Sequence, residues 1–207
     1  MKEDKKAYWE HIYQTRKAEE VSWTQSIPYS SLNFIKGFNL QKNAKIIDIG
    51  GGDSMLVDYL LKEGFSDITV LDISEAALNR ARVRLGEKSR QVKWIVSDIT
   101  DFKPEEHYEL WHDRATFHFL TGKRQIQRYV TTAANATNSY MVIGTFSEFG
   151  PEKCSGLTIK QYSETTLQNT LNRYFKKIKC ISEDHFTPFK TIQNFLFCSF
   201  KKQPVNL

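Results

Sequence analysis

Lys45-Ile46-Ile47-Asp48-Ile49-Gly50-Gly51-Gly52-Asp53-Ser54 is the stretch on which the reading of this chain turns. An apolar run ends in an acidic residue and then in consecutive glycines. Met55-Leu56-Val57-Asp58-Tyr59-Leu60-Leu61 follows with the spacing of an amphipathic helix. The pattern predicts a buried strand, a tight turn with no side chains in the way, and a helix. In an open α/β sheet that turn, at the carboxyl end of the first strand, is where a ligand sits. Glycine there permits positive φ and lets a ligand approach the main chain closely. Taken alone, Gly50-x-Gly52 also fits an ordinary glycine-rich turn.

The flanking sequence repeats the alternation. Ile68-Thr69-Val70-Leu71-Asp72 is a second apolar run closing on a carboxylate. Ser74 is placed to cap a helix whose inner face is Ala77, Leu78, Ala81 and Leu85, and Gly86 stops it. Residues 92–96 and 108–113 read as third and fourth strands, 123–136 as a helix and 140–146 as a fifth strand. Strands alternating with helices predict a doubly wound, mainly parallel sheet with helices on both faces. Upstream, residues 5–16 carry Tyr8, Trp9, Ile12 and Tyr13 on one helical face, and Pro28 opens a second helix that turns Leu32, Phe34, Ile35 and Phe38 inward. We read the first forty residues as a helical lid. Downstream, 147–156 reads as a loop, and Ser163 caps a helix to Leu171. Segments 175–181 and 195–200, joined by 182–194 with no helix between, read as an antiparallel edge pair. The plan is one domain over 1–207: a lid to 40, a ligand-binding core over 45–146, then a loop and hairpin over 147–207.

Composition narrows the class. Hydrophobic residues at 40% and charged residues at 26% suit a globular protein. No apolar run is long enough to span a bilayer, and residues 1–6 are charged, with no apolar signal segment behind them. Cys154, Cys180 and Cys198 stand in no metal-binding spacing and fit reduced thiols in a cytoplasmic protein. The net charge of +5 is modest. Its densest clusters, Arg80/Arg82/Arg84 and Lys176/Lys177/Lys179, lie in periodic segments, which suits solvated faces better than a nucleic-acid groove.

The nature of the ligand follows from the carboxylates. Asp72 stands at about the separation from the turn at which an acidic residue meets a ribose diol. A dinucleotide fingerprint would run G-x-G-x-x-G, but Met55 occupies the third glycine position. Asp48 and Asp53 also put negative charge where a pyrophosphate needs donors. Two carboxylates around the loop suit a ligand with a positive amino group.

Segments Asp48–Ser54, Leu71-Asp72-Ile73-Ser74 and Ser97-Asp98-Ile99 resemble, in order and spacing, the successive cofactor motifs of class I S-adenosylmethionine-dependent methyltransferases. Tyr8-Trp9-Glu10-x-x-Tyr13, Trp23 and Asp113-Arg114-Ala115-Thr116 resemble the small methyltransferase-like lysine methyltransferases and their bacterial relatives. Those carry a D-K-G-T-type segment after the fourth strand, where this chain has Arg114 and Ala115. The resemblance implies a seven-stranded sheet with a reversed edge hairpin, S-adenosylmethionine as cofactor and S-adenosylhomocysteine as product. By position it implies Gly50 and Gly52 against the methionine part, with Asp53 and Ser54 in the same loop and Asp48 near the amino group. It implies Asp72 on the ribose hydroxyls, Ile73 on the adenine, and Asp98 beside Ile99 at the adenine amino group. Arg16 and Trp23 would close the methionine end.

Methyl transfer is an in-line displacement in which the enzyme's main task is positioning, and a base is needed only for a protonated acceptor. In the fold implied, residues after the fourth and fifth strands surround the methyl group, which singles out Asp113, Arg114, Phe117, His118, Phe146 and Ser147. Asp113, ending a buried strand, reads as a contact to cofactor or acceptor, or else as an ion pair with Arg114. His118 reads as a general base or as a core histidine with one satisfied nitrogen. His112 faces the other way along its strand, toward helix packing. Cys154, in the loop after the fifth strand, reads as a free thiol or as a neighbour of the acceptor. Nothing resembles a metal site or a nucleophilic triad. The expected function is a metal-free methyltransferase acting on a nucleophilic N, S or O of a small molecule or of a protein lysine. The alternatives are a cofactor-binding interaction module without turnover and an NAD-dependent oxidoreductase.

Overall fold

The computed structural model describes residues 5–204; residues 1–4 and 205–207, including most of the charged amino-terminal segment, lie outside the described residues. In chain order the strands are β1 (Lys45–Ile49), β2 (Asp67–Asp72), β3 (Val92–Val96), β4 (Tyr108–Arg114), β5 (Thr137–Phe146), β6 (Lys153–Cys154), β7 (Leu157–Thr158), β8 (Phe175–Phe186) and β9 (Ile192–Lys202). Seven of them form one sheet in the order β3-β2-β1-β4-β5-β9-β8, and β6 and β7 pair separately. The first five are parallel, β9 runs antiparallel to β5, and β8 pairs antiparallel with β9. Fold class, alternation and reversed edge are as the sequence predicts.

Alternating residues of each strand feed two cores. Ile47, Ile49, Trp111 and Met141 pack with α5 (Lys123–Ala136) and α6 (Glu164–Leu171). Ile46, Ile68, Val70 and Leu110 pack with α2 (Tyr29–Gly37), α3 (Leu56–Lys62) and α4 (Glu75–Leu85). Ile46, Ile47 and Ile49 are fully buried, as the central strand of a sheet covered on both faces must be. The Ser74 and Ser163 hydroxyls accept from the backbone N–H of Ala77 and Thr166, capping α4 and α6; each cap contributes about 1 kcal/mol.

Helix α1 (Lys5–Thr15) packs against the start of α4. The Glu10 carboxylate accepts from the Ser74 hydroxyl at 2.8 Å and from the Ala76 N–H at 3.1 Å, at the amino end of α4. Tyr8 donates to the Ser155 carbonyl, and Lys5 donates to the Phe119 carbonyl at 3.3 Å. Among the described residues no helix is long and apolar enough to cross a membrane.

The structure revises the sequence reading in the carboxy-terminal third. The edge hairpin is longer than its apolar runs, because β8 continues to Phe186 and β9 starts at Ile192; the expected 182–194 connection shrinks to 187–191. Exposed polar residues on the solvent side of β8 hid that extension from a hydrophobicity reading. The end of the expected 147–156 loop belongs to a small hairpin over 153–158 that turns at Ser155 and Gly156, both at positive φ. The reading of three reduced thiols is corrected as well. Register places Cys180 opposite Cys198 and the two form a disulfide, while Cys154 is free and buried.

Candidate active site

At the carboxyl ends of β1, β2, β4 and β5, beneath α1, lies a cavity of about 440 Å³. The glycine turn makes its floor. Gly50 and Gly52 have φ of 64° and 46°, and the N–H groups of Gly50 and Gly51 donate to the Leu71 carbonyl at 2.7 and 3.2 Å. The turn is tight against protein: a Cβ on Gly50 would stand 1.7 Å from Thr116 Oγ1, and one on Gly51 2.6 Å from Asp48 Oδ2. The glycines are therefore demanded first by the strand ends around them.

Of the residues singled out in the sequence, Trp23, Asp48, Gly50, Asp53, Ser54, Asp72, Ile73, Asp98 and Ile99 line this one cavity. Gly52 sits behind the wall, where a Cβ would be 3.0 Å from Asp72 Oδ2 and 3.1 Å from the Tyr13 hydroxyl. Arg16 is not brought into the wall; its carbonyl accepts from Arg80.

Asp72 Oδ1 accepts from the Ser74 N–H at 2.8 Å. Burial, aided by the charges of Asp53 and Asp48, raises its pKa to about 7. Ser74 and Ile73 N–H groups oppose that shift without cancelling it. Asp53 pairs with Arg80 at 3.3 Å. Asp98 Oδ1 is fixed by the N–H and hydroxyl of Thr100 at 2.7 and 2.8 Å. A buried carboxylate flanked by two others calls for hydroxyl donors and positive charge, so this donor set fits an adenosyl sulfonium ligand and opposes a pyrophosphate.

The ends of β4 and β5 depart furthest from expectation. Asp113 is fully buried outside the cavity wall. It accepts from the N–H groups of Thr116 and Phe117, each at 3.1 Å, and from the Tyr129 hydroxyl at 2.7 Å. Its role in the structure is to lock the turn after β4 onto α5, and it makes no ion pair with Arg114. Burial raises its pKa to about 6 against those hydrogen bonds. His118 is also fully buried outside the wall, stacked on Phe146 with ring centroids 4.5 Å apart. Neither of its nitrogens has a hydrogen-bond partner among the described residues, and burial, then the charge of Arg114, pushes its pKa down to about 3. It is a neutral aromatic packing group, neither a base aimed at the cavity nor a histidine with a satisfied nitrogen.

His112 takes a place that strand alternation alone did not assign. Its Nδ1 lies 2.7 Å from Asp48 Oδ1 and its Nε2 2.8 Å from Ser31 Oγ, and all three residues border the cavity while nearly fully buried. It does face helix α2, as expected, but it faces the cavity too. Beside it, Trp9, Trp23, Phe119, Phe146 and Phe195 form aromatic walls around Arg114 and Thr116. Ser31 and Phe195 were invisible as site residues, because they reach the cavity from elements that carry no motif.

Residues 47–139 match the family described as a methyltransferase domain. The chain is 25% identical over 166 residues to the EEF1A lysine methyltransferase 2 of Danio rerio, covering 66% of this chain and 71% of that protein. It is 32% identical over 94 residues to malonyl-[acyl-carrier protein] O-methyltransferase 1 of Ilyobacter polytropus, which is 45% of this chain and 34% of that one. Among solved structures it superposes on the N-methyltransferase NodS of Bradyrhizobium japonicum, in complex with S-adenosylhomocysteine, with a TM-score of 0.70 and 14% identity over 97% of this chain and all of that one. That likeness shows the fold.

Proposed function

We propose that this chain is a class I S-adenosylmethionine-dependent methyltransferase, a reading supported by the methyltransferase-domain match, the relatives and the shared fold, and that it moves the methyl group to a nucleophilic N, S or O of an acceptor seated in the aromatic chamber. The observation that carries the reading is the single cavity that joins the three cofactor motifs to that chamber. S-adenosylmethionine, when bound, supplies an electrophilic methyl group on a cationic sulfur. The protein's residues then bind, orient and exclude water. Asp72 accepts from the ribose hydroxyls, Ile73 packs on the adenine face, and Asp98 accepts from the adenine amino group beside Ile99. Gly50, Gly51, Asp53 and Ser54 border the methionine part. Asp48 has Oδ1 engaged by His112 and offers Oδ2 to the amino group. Trp9, Trp23 and α1 close the site, so the acceptor reacts away from water.

For an acceptor that arrives protonated, His112 is the residue placed to take the proton, with Asp48 holding its Nδ1 and Ser31 marking where its Nε2 points. This role replaces the one that the sequence suggested for Asp113 and His118. The enclosure under α1 favours a small-molecule acceptor; a slender protein side chain such as lysine is the second reading, supported by the zebrafish relative's name.

The test is a thermal-shift titration with S-adenosylmethionine, S-adenosylhomocysteine and NAD, followed by assay of S-adenosylhomocysteine formation with candidate acceptors. A ligand that binds only the native state at a hundred times its Kd adds about 2.7 kcal/mol. Stabilisation by both adenosyl ligands and not by NAD is expected; stabilisation by NAD alone refutes the reading. Turnover with any acceptor excludes a mere binding module.

A further inference from the structure

We infer that Arg114 is the acceptor's anion anchor, and that the acceptor is a small molecule with a carboxylate attached to a flat apolar body. The inference rests on the methyl-transfer reading in one respect, that the aromatic chamber belongs to the acceptor.

Arg114 ends β4 and borders the cavity. Its Nη1 donates to the Trp23 carbonyl at 2.8 Å, and its guanidinium lies 5.0 Å from the centre of the Phe195 ring. Nε and Nη2 are shielded from solvent and have no hydrogen-bond partner. Among the described residues no carboxylate takes them. Asp48 is committed to His112 at 2.7 Å, and Glu183, whose pKa burial raises, makes no ion pair with Arg114 within 4.0 Å. The other groups nearby are neutral. His118 and His185 are held unprotonated, by burial first and then by the charge of Arg114, and burial pushes the Cys154 thiol up to about 11. Arg114 itself, lowered to about 10 by burial, stays cationic at neutral pH.

Asp48 and Glu183 act on Arg114 only through their charge, without an ion pair, so a buried cation with two N–H groups lacking a hydrogen-bond partner among the described residues is costly unless something supplies a paired anion. The guanidinium fork matches a carboxylate in bidentate fashion, and its flexible stem can turn those N–H groups toward a ligand in the cavity. The Trp23, Phe146 and Phe195 rings bordering the same space suit a flat apolar body. The same cation repels the ammonium of a lysine. An arginine-bound carboxylate is also stabilised as the anion, which makes it a poor nucleophile. It is therefore an anchor, and the methyl group goes to another atom of the acceptor.

The experiment uses the full chain saturated with S-adenosylhomocysteine. Benzoate, phenylacetate and indole-3-acetate are each titrated against the matched neutral amide, read by tryptophan fluorescence and calorimetry. We expect at least one carboxylate to bind about tenfold or more tighter than its amide, the equivalent of one charge-assisted hydrogen bond. In Arg114→Gln that preference should vanish while S-adenosylhomocysteine still binds, and Arg114→Lys should keep part of it. If no carboxylate outcompetes its amide, or if the preference survives in Arg114→Gln, the inference is overturned. The carboxylate–amide comparison needs no variant, so it decides even if Arg114→Gln does not fold. Failure of S-adenosylhomocysteine to bind at all would instead overturn the methyltransferase reading beneath it.

Discussion

Replacing Asp72 by Asn should separate two effects that the wild-type carboxylate combines. Asp72 is 5% exposed, and its pKa is raised from 3.8 to about 7 in the folded chain. Below pH 3.8 the carboxyl is protonated folded or unfolded, and above about 7 it is ionised in both. Between those limits the folded state holds the proton more tightly, so the ligand-free protein loses stability as pH rises across the window. The total is on the order of 4 kcal/mol at most. Asn cannot ionise, and its Oδ1 can go on accepting from the Ser74 N–H. The ligand-free variant should therefore lack that fall and be the more stable protein at pH 8. Its cofactor binding should collapse, because a charged acceptor for two ribose hydroxyls is replaced by an amide. The loss is about 3 kcal/mol or more, beyond a hundredfold in Kd. In the wild type, ligand hydroxyls that favour the carboxylate form should make S-adenosylhomocysteine bind tighter from pH 6 to 8, with proton release on binding. Melting temperatures from pH 5 to 8 with and without S-adenosylhomocysteine, and calorimetry at pH 8, measure both effects. Binding by Asp72→Asn within about threefold of wild type would refute the ribose assignment. Parallel stability profiles for the two proteins would refute the burial argument.

Gly50→Ala should cost far more stability than Gly86→Ala, although both glycines have positive φ. The first Cβ meets Thr116 Oγ1 at 1.7 Å and the second meets nothing within 4 Å. Roughly 2–4 kcal/mol against about 1 is expected from denaturant melts, and equal losses would mean the turn is not tight against β4. Tyr129→Phe removes the hydroxyl that donates to Asp113 at 2.7 Å and accepts from Trp111 Nε1 at 3.0 Å. It should lower stability by about 1–3 kcal/mol with cofactor affinity unchanged; a selective loss of turnover would restore Asp113 to the chemistry. His118→Phe should leave turnover intact. With a folded pKa of about 3 against 6.5, wild-type His118 contributes stability that is fully present above pH 6.5 and declines as pH falls toward 3. The variant should therefore be less acid-sensitive in that window, and identical acid profiles would contradict a buried neutral imidazole.

Much of the architecture was legible in the chain, because its signals are local. The span of α5 over Lys123–Ala136, the Ser74 and Ser163 caps and the stop at Gly86 follow from periodicity and capping chemistry within a few residues. That most of the motif residues line one cavity was legible for a related reason: in a parallel sheet every strand's carboxyl end opens at the same edge, so motifs at those ends converge. Arg16 lies outside that lining because it follows α1, whose path over the sheet no local signal specifies.

What the sequence by itself determined is the order of elements, the parallel core and the carboxylates at its ligand edge, since each depends on neighbours along the chain. Only the tertiary structure decided which polar groups face the cavity and which are consumed in packing. Asp113 and His118 lie within four residues of Arg114 in sequence, yet Asp113 is tied down by Tyr129 from α5 and His118 is stacked on Phe146 from β5. His112 is held at the cavity border by Asp48 and Ser31 from two other elements. Ser31, Asp48 and His112 are far apart in the chain, and so are Arg114, Trp23 and Phe195. The role of a buried polar side chain is set by the partners that share its desolvated space, and those partners are assembled only when the chain folds.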